Sequence, residues 1–156
     1  MMTDNEMMLR IFIAFILSGL IGLEREWRRH EAGLRTHILV CIGSTLIMLT
    51  SMYVFDIYKT QANVDPTRIA AGVITGIGFL GAGTIIRDRE GIRGLTTASS
   101  LWVVAALGLS VGCGLYKASV FVTFLVLTVL LFLRKMESTL LKKGAGYGAQ
   151  RQEERD

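Results

Sequence analysis

The sequence predicts an all-α polytopic membrane bundle of five transmembrane helices, with the N-terminus outside and the C-terminus in the cytoplasm. Three observations predict it. Apolar residues make up 51% of the 156, the mean hydropathy is +0.48, and there is a single proline. The apolar residues fall into five runs, 9–23, 36–55, 69–86, 95–115 and 118–133, of about 15 to 21 residues each, against roughly 20 needed to cross a bilayer as a helix. Basic residues then alternate in density between the two sides that these runs define, and the denser side is read as cytoplasmic.

Each run has its own justification. The first, 9–23, follows acids and precedes a dense charged block, which argues against a cleaved signal peptide. It and the last run are short, so their ends are expected to be extended by snorkelling Arg10, Arg134 and Lys135. None of the runs alternates apolar with polar residues, which excludes a membrane barrel. Before the third run, Asp65-Pro66-Thr67 suits a helix start, Asp65 as a cap and Pro66 at the first position. Residues 1–8 read as an N-terminal extension, 9–141 as the transmembrane domain, and 142–156, with Gly144, Gly146 and Gly148 and a charged end, as a disordered cytoplasmic tail.

Charge sets the orientation. Arg25, Arg28, Arg29 and Arg35, then Arg87, Arg89 and Arg93, then Arg134, Lys135, Lys142, Lys143, Arg151 and Arg155 after the last run give thirteen on one side. Arg10, Lys59, Arg68 and Lys117 are the four on the other. This bias accounts for the net charge of +4 without a nucleic-acid partner, since no basic stripe with interleaved aromatics occurs. Cys41 and Cys113 belong to opposite ends of their helices, tens of ångströms apart in depth at about 1.5 Å per residue. Both are expected to be free, buried thiols.

Glycine marks the packing faces. Ser18 and Gly22 in the first helix, Gly108 and Gly112 in the fourth, and Gly72, Gly76, Gly78, Gly81 and Gly83 in the third let backbones approach closely in lipid. The density in the third helix predicts that it is central, that its glycines serve packing and self-association, and that 78–83 either breaks or leaves backbone open to a ligand. The two pairs of helices also resemble a weak direct repeat, with Gly33-Leu34-Arg35-Thr36 matched by Gly94-Leu95-Thr96-Thr97 at a spacing of 61.

Polar groups gather where the two hairpins turn. Glu24, Arg25, Glu26, Arg35, Thr36 and His37 come from the first turn, and Asp88, Thr96, Thr97 and Ser100 from the second. Such groups at membrane depth point to function. The second and fourth helices both begin here, so their positive dipole ends favour an anion, a phosphate-bearing lipid head or a carboxylate. Trp27 and Trp102 would flank the site as interfacial anchors. The competing expectation is a salt-bridged lattice locking the hairpins, with Arg35 paired to Glu24 or Asp88.

The stretches Gly19-Leu20-Ile21-Gly22-Leu23-Glu24-Arg25-Glu26, Ala32-Gly33-Leu34-Arg35-Thr36-His37, Gly76-Ile77-Gly78-Phe79-Leu80-Gly81-Ala82-Gly83 and Gly94-Leu95-Thr96-Thr97-Ala98-Ser99-Ser100-Leu101-Trp102 resemble the MgtC/SapB family of bacterial inner-membrane proteins, in the family's order and over roughly residues 7–135. The resemblance implies five transmembrane helices, an outside N-terminus, the bacterial plasma membrane, and a part in growth under magnesium limitation, stress adaptation and virulence. Longer members carry a C-terminal cytoplasmic domain of ACT-like fold. The chain resembles the short, SapB-like form, so functions tied to that domain are not expected of it.

Function classes separate on the residues. There is no HExxH and no Cys/His metal spacing, and no general base stands beside the hydroxyls of Thr96, Thr97, Ser99 and Ser100. No catalytic residue and no cofactor are expected. A Mg²⁺ path is disfavoured because no acid lies in the deeper part of any run, although carboxylates stand at the ends; the metal question stays open. A binding or regulatory membrane module is the leading reading, with the bilayer, a second copy, another membrane protein and an anionic lipid or small anion as partners; a small cation transporter or channel is the alternative. The charge asymmetry predicts that a C-terminal alkaline phosphatase fusion is inactive and a C-terminal green fluorescent fusion glows; the opposite pair of results reverses the orientation.

Overall fold

A computed structural model describes residues 2–133 apart from 62 and 90. The tail at 142–156, the last part of the expected transmembrane domain, Arg134, Lys135 and Glu90 lie outside the described residues. The chain forms five helices: α1 (Asp4–Trp27), α2 (Leu34–Tyr58), α3 (Thr67–Thr84), α4 (Leu95–Gly112) and α5 (Tyr116–Thr128), the last continued by a π-helical turn, Val129–Leu133. A two-stranded antiparallel hairpin, β1 (Ile86–Asp88) and β2 (Gly91–Arg93), joins α3 to α4, with Arg87 opposite Ile92. This hairpin is absent from the sequence reading, which placed a plain charged turn there. By length and apolar composition α1, α2 and α4 are able to cross a membrane. Five glycines dilute the apolar character of the 18-residue α3, and α5 with its π turn is shorter. The chain is an all-α membrane bundle.

Two compact units are distinguished, Met1–Thr123 and Phe124–Asp156, and α5 straddles their boundary. In the first unit α2 and α4 form the inner pair, and each packs against α1 and α3 as well. The central place therefore falls to α2 and α4, not to α3. The reason is where the glycines point. A Cβ added to Gly108 would stand 2.4 Å from the Cys41 carbonyl oxygen, and one added to Gly112 would stand 2.7 Å from Met48 Cβ. Both positions therefore need glycine for the two backbones to meet. Thr45 Oγ1 donates across this seam to the Gly108 carbonyl at 3.0 Å while lying 2.9 Å from its own helix at Cys41 O. Gly22 does the same for α1 and α2, its Cβ position being 2.9 Å from Leu34 Cα.

Helix α3 behaves differently. It remains α-helical through 78–83, so the glycines do not break it. Ala70, Ile77 and Gly81 are its buried residues, a single stripe, and Gly81 makes an ordinary contact with Ala98 at 3.6 Å. A Cβ added to Gly72, Gly76, Gly78 or Gly83 would meet nothing within 4 Å among the described residues. Packing among the described residues does not require glycine there. Ile77 joins Ala32, Leu101 and Ala105 in an apolar cluster that Val40 and Val73 cover.

The helix ends follow local chemistry. Thr3 caps α1 through its hydroxyl, which accepts from Glu6 N. The start of α3 is shifted by one residue from the expectation: Pro66 stands at the cap and not at the first helical position, and Asp65 just before it accepts from Thr67 N at 2.8 Å. Gly94 starts α4 with φ +86, and a Cβ there would strike the Thr84 carbonyl oxygen at 1.8 Å, so only glycine fits. Arg10 does not snorkel outward. It is buried, and its Nη1 donates to the Gly112 carbonyl at 2.5 Å while Nη2 pairs with Glu6 at 2.5 Å. A cation at the negative end of α4 complements the helix dipole. Cys113 is exposed rather than buried, because it sits at the C-terminal cap of α4; Cys41 is buried, and both thiols are free.

Overpacking typically costs about 1–3 kcal/mol. Gly108→Leu is therefore expected to lower the thermal transition in detergent, and Gly76→Leu to leave it unchanged. A greater loss from Gly76→Leu would show that α3 meets a second chain at that face.

Candidate functional site

The two turns meet at one end of the first unit, and side chains of the two are joined by hydrogen bonds. Helix α2 begins at Leu34 with Gly33 before it and no hydroxyl to cap it. Glu26, eight residues earlier on α1, supplies the missing acceptor: its Oε2 takes the Leu34 N–H at 3.0 Å. A Cβ on Gly33 would lie 1.8 Å from that same oxygen, which explains the glycine. At α4 no side chain caps the helix start, and the bond from the first turn goes to a side chain. Thr97, 1% exposed, donates its hydroxyl to Glu31 Oε2 at 2.7 Å. That bond first, then a backbone bond, then the neighbouring His30 and Arg93, hold the Glu31 carboxyl below the usual carboxylate range.

A second bridge runs beside it. His37 is fully buried in the first turn of α2. Its Nδ1 lies 2.8 Å from the Gly33 carbonyl oxygen, an N–H donating to an acceptor, and its Nε2 lies 3.0 Å from Ser100 Oγ on α4. Ser100 Oγ also lies 2.8 Å from the Thr97 carbonyl oxygen, so the ring is held from both sides.

The charged residues are arranged more locally than expected. Glu24 Oε2 pairs with Arg25 Nη2 at 2.5 Å and Glu24 Oε1 with Arg28 Nε at 2.6 Å, all within the last turns of α1. Asp88 pairs with Arg93 across the hairpin. Arg35 joins neither carboxylate: it is exposed and makes no ion pair among the described residues. The salt-bridged lattice between hairpins is thus replaced by one intrahelical cluster, one hairpin pair, and two hydrogen-bonded bridges, Glu31–Thr97 and His37–Ser100. Thr36 and Thr96 are exposed. Trp27 projects outward, 90% exposed, and Trp102 is half exposed. The sequence reading missed Glu31 and Arg10. Nothing in the spacing marks Glu31, since its partner is 66 residues away.

The caps change what the end offers electrically. Free N–H groups at two helix starts were the main reason to expect an anion. Glu26 occupies the start of α2, and beside the start of α4 Glu31 places a carboxylate on the Thr97 hydroxyl. Among the described residues no group of three or more His, Cys, Asp or Glu is placed to hold a metal ion. A pocket of ≈ 410 Å³ opens beside the bridges, reached by Glu31, Thr36 and Thr84 and walled by Phe79, Leu80 and Leu101.

Residues 11–139 match the family described as the MgtC family. The chain is 42% identical over 140 residues to an Escherichia coli protein named "Putative magnesium transporter YhiD", covering 88% of this chain and 65% of that protein. It is 42% identical over 127 residues to "Protein MgtC" of Salmonella typhimurium, covering 81% and 52%. A Synechocystis protein is 40% identical over 134 residues, covering 86% and 55%. The chain therefore spans between about half and two-thirds of the length of these relatives. No solved structure matches it. On this match over most of its length, the chain belongs to the MgtC family.

Proposed function

We propose that the chain is a non-enzymatic, multi-pass protein of the bacterial inner membrane that serves adaptation to magnesium limitation or a related stress by binding a ligand or partner at its cytoplasmic face. The face is the end that carries Glu24, Arg25, Glu26, Arg35, Thr36, His37, Asp88, Thr96, Thr97 and Ser100, placed inside by the positive-inside bias. Growth under low magnesium enters from family membership and from the relatives' names.

One observation carries the choice of binding over transport. Among the described residues, every carboxylate of the helices lies within a few residues of a helix end, and several deeper hydroxyls donate to their own backbones. Ser18 donates to the Ala14 carbonyl at 2.6 Å, Ser44 to Val40 at 2.8 Å, and Thr123 to Ser119 at 2.9 Å. A Mg²⁺ ion needs six oxygen ligands or its waters throughout its passage, with one or two carboxylates as its usual protein ligands, and this interior supplies no carboxylate along its length. The name of the Escherichia coli relative favours the second reading, a small cation transporter. With Glu26 on the start of α2 and the Glu31 carboxylate close to that of α4, Arg35 and Arg87 become the groups that favour a phosphate.

Proteoliposomes loaded with a Mg²⁺-sensitive dye are expected to show no more influx than protein-free vesicles under an imposed gradient. Influx that requires the protein would establish transport instead. Mutations divide the end into frame and site. Arg25→Ala leaves the buried Glu24 with one partner fewer, a loss on the scale of about 3–5 kcal/mol for a broken buried pair, and is expected to abolish the folded state in detergent. Arg35→Ala breaks no pair and is expected to keep the wild-type thermal transition while failing to support growth at low magnesium. Wild-type growth of the Arg35→Ala strain would remove Arg35 from the site.

A further inference from the structure

The pocket beside the bridges has two chemically distinct halves. Its rim carries Glu31, Thr36 and Thr84; its wall is Phe79, Leu80 and Leu101, and Phe79 and Leu80 are 83% and 50% exposed. The rim is electronegative for two independent reasons. Glu31 is held ionised by the Thr97 hydroxyl. Helix α3 ends against the pocket, and the last carbonyls of a helix carry partial negative charge. The basic Arg35 stands next to Thr36 in the chain and is exposed.

We propose that this pocket holds an aminophospholipid, phosphatidylethanolamine, by its headgroup. The ammonium donates to Glu31 and to the hydroxyls of Thr36 and Thr84. The lining itself holds no basic residue, so the adjoining phosphate lies outside it, on the side of the exposed Arg35. The acyl chain runs along Phe79 and Leu80 into the bilayer. The proposal rests on the reading of this end as a membrane-face binding site and names its occupant. Competing occupants fit less of the pocket. A hydrated divalent cation meets a single carboxylate and leaves the apolar wall uncovered. Phosphatidylglycerol brings no cation to Glu31. The choline ammonium has no N–H to donate.

The test compares headgroups on the whole chain. The protein is purified in detergent, exchanged with equal amounts of phosphatidylethanolamine, phosphatidylcholine and phosphatidylglycerol of identical acyl chains, and the retained lipid is counted by native mass spectrometry. The wild type is expected to retain phosphatidylethanolamine several-fold over the other two. Glu31→Gln keeps an acceptor for Thr97 and loses the charge; it is expected to hold its thermal transition and lose the preference. Gly83→Leu adds bulk to a pocket-lining position whose Cβ meets nothing within 4 Å, and is expected to lower retention of every lipid without unfolding the bundle. Equal retention of the three headgroups by the wild type, or a preference for phosphatidylglycerol, overturns the proposal, and this comparison needs no variant to fold. A Glu31→Gln protein that still selects phosphatidylethanolamine overturns it too. The growth phenotype of Arg35→Ala reports separately on the binding site, so loss of the lipid preference with that phenotype intact removes the occupant and leaves the site.

Discussion

The close crossing of α2 and α4 is the contact on which the rest of the first unit depends. Lipid offers no hydrophobic force between helices, so association rests on packing and on interhelical hydrogen bonds. Both are concentrated at this seam. Gly108 and Gly112 remove the side chains that would hold the backbones apart, and Thr45 bonds to the Gly108 carbonyl in the space so gained. From there the other contacts follow by position. Arg10 reaches the carbonyl of Gly112 at one end of α4, and Ser100 reaches His37 near the other. The seam fixes the spacing that allows both.

That seam was legible in the sequence only in part. Five apolar runs and a charge asymmetry suffice for the helices, because the bilayer restricts what a spanning segment is able to be. Glycine density in α3 pointed to the wrong centre. A small residue permits close approach but does not show which neighbour makes use of it. Two glycines in α4 are packed, and four in α3 are open. The extra turns of α1, up to Trp27, were hidden because Glu24 to Trp27 reads as a charged turn in hydropathy; in the structure they are helical, which places Glu24, Arg25 and Arg28 on one helical surface. The polar site was legible as a set of residues from the two turns and not as a set of pairs. Arg35 looked like the partner of Glu24 because the charges are opposite and both lie near the turn. Glu24 was already satisfied by neighbours one and four residues away, the cheapest partners in conformational entropy.

The carboxylate caps carry the largest consequence for function. A helix start inside a membrane leaves N–H groups that water does not reach, and something has to accept them. Glu26 does so for α2, from the preceding helix, whereas Glu31 accepts from the Thr97 hydroxyl beside the start of α4. At α2 an anion would have to displace a covalently tethered carboxylate whose effective concentration is high. The same carboxylates bring negative charge to an end whose other exposed charged residues are arginines. The surface thus presents both signs within a short distance, which suits a zwitterion better than either a simple anion or a bare cation.

The polar contacts at this end also differ in when they are able to form. Glu24 with Arg25 and Arg28 lies within one helix, so the cluster exists as soon as α1 does and enters the bilayer as a partly neutralised unit. An isolated charge would cost far more to bury. Glu26 with Leu34 needs only the first hairpin. The Glu31–Thr97 and His37–Ser100 bonds need both hairpins, with α4 in register against α2. The intrahelical cluster accordingly contributes to insertion and says little about assembly, whereas the two bridges distinguish the correct register from a shifted one: moving α4 by one turn would separate Thr97 from Glu31 and Ser100 from His37 together, leaving a buried imidazole without its partner.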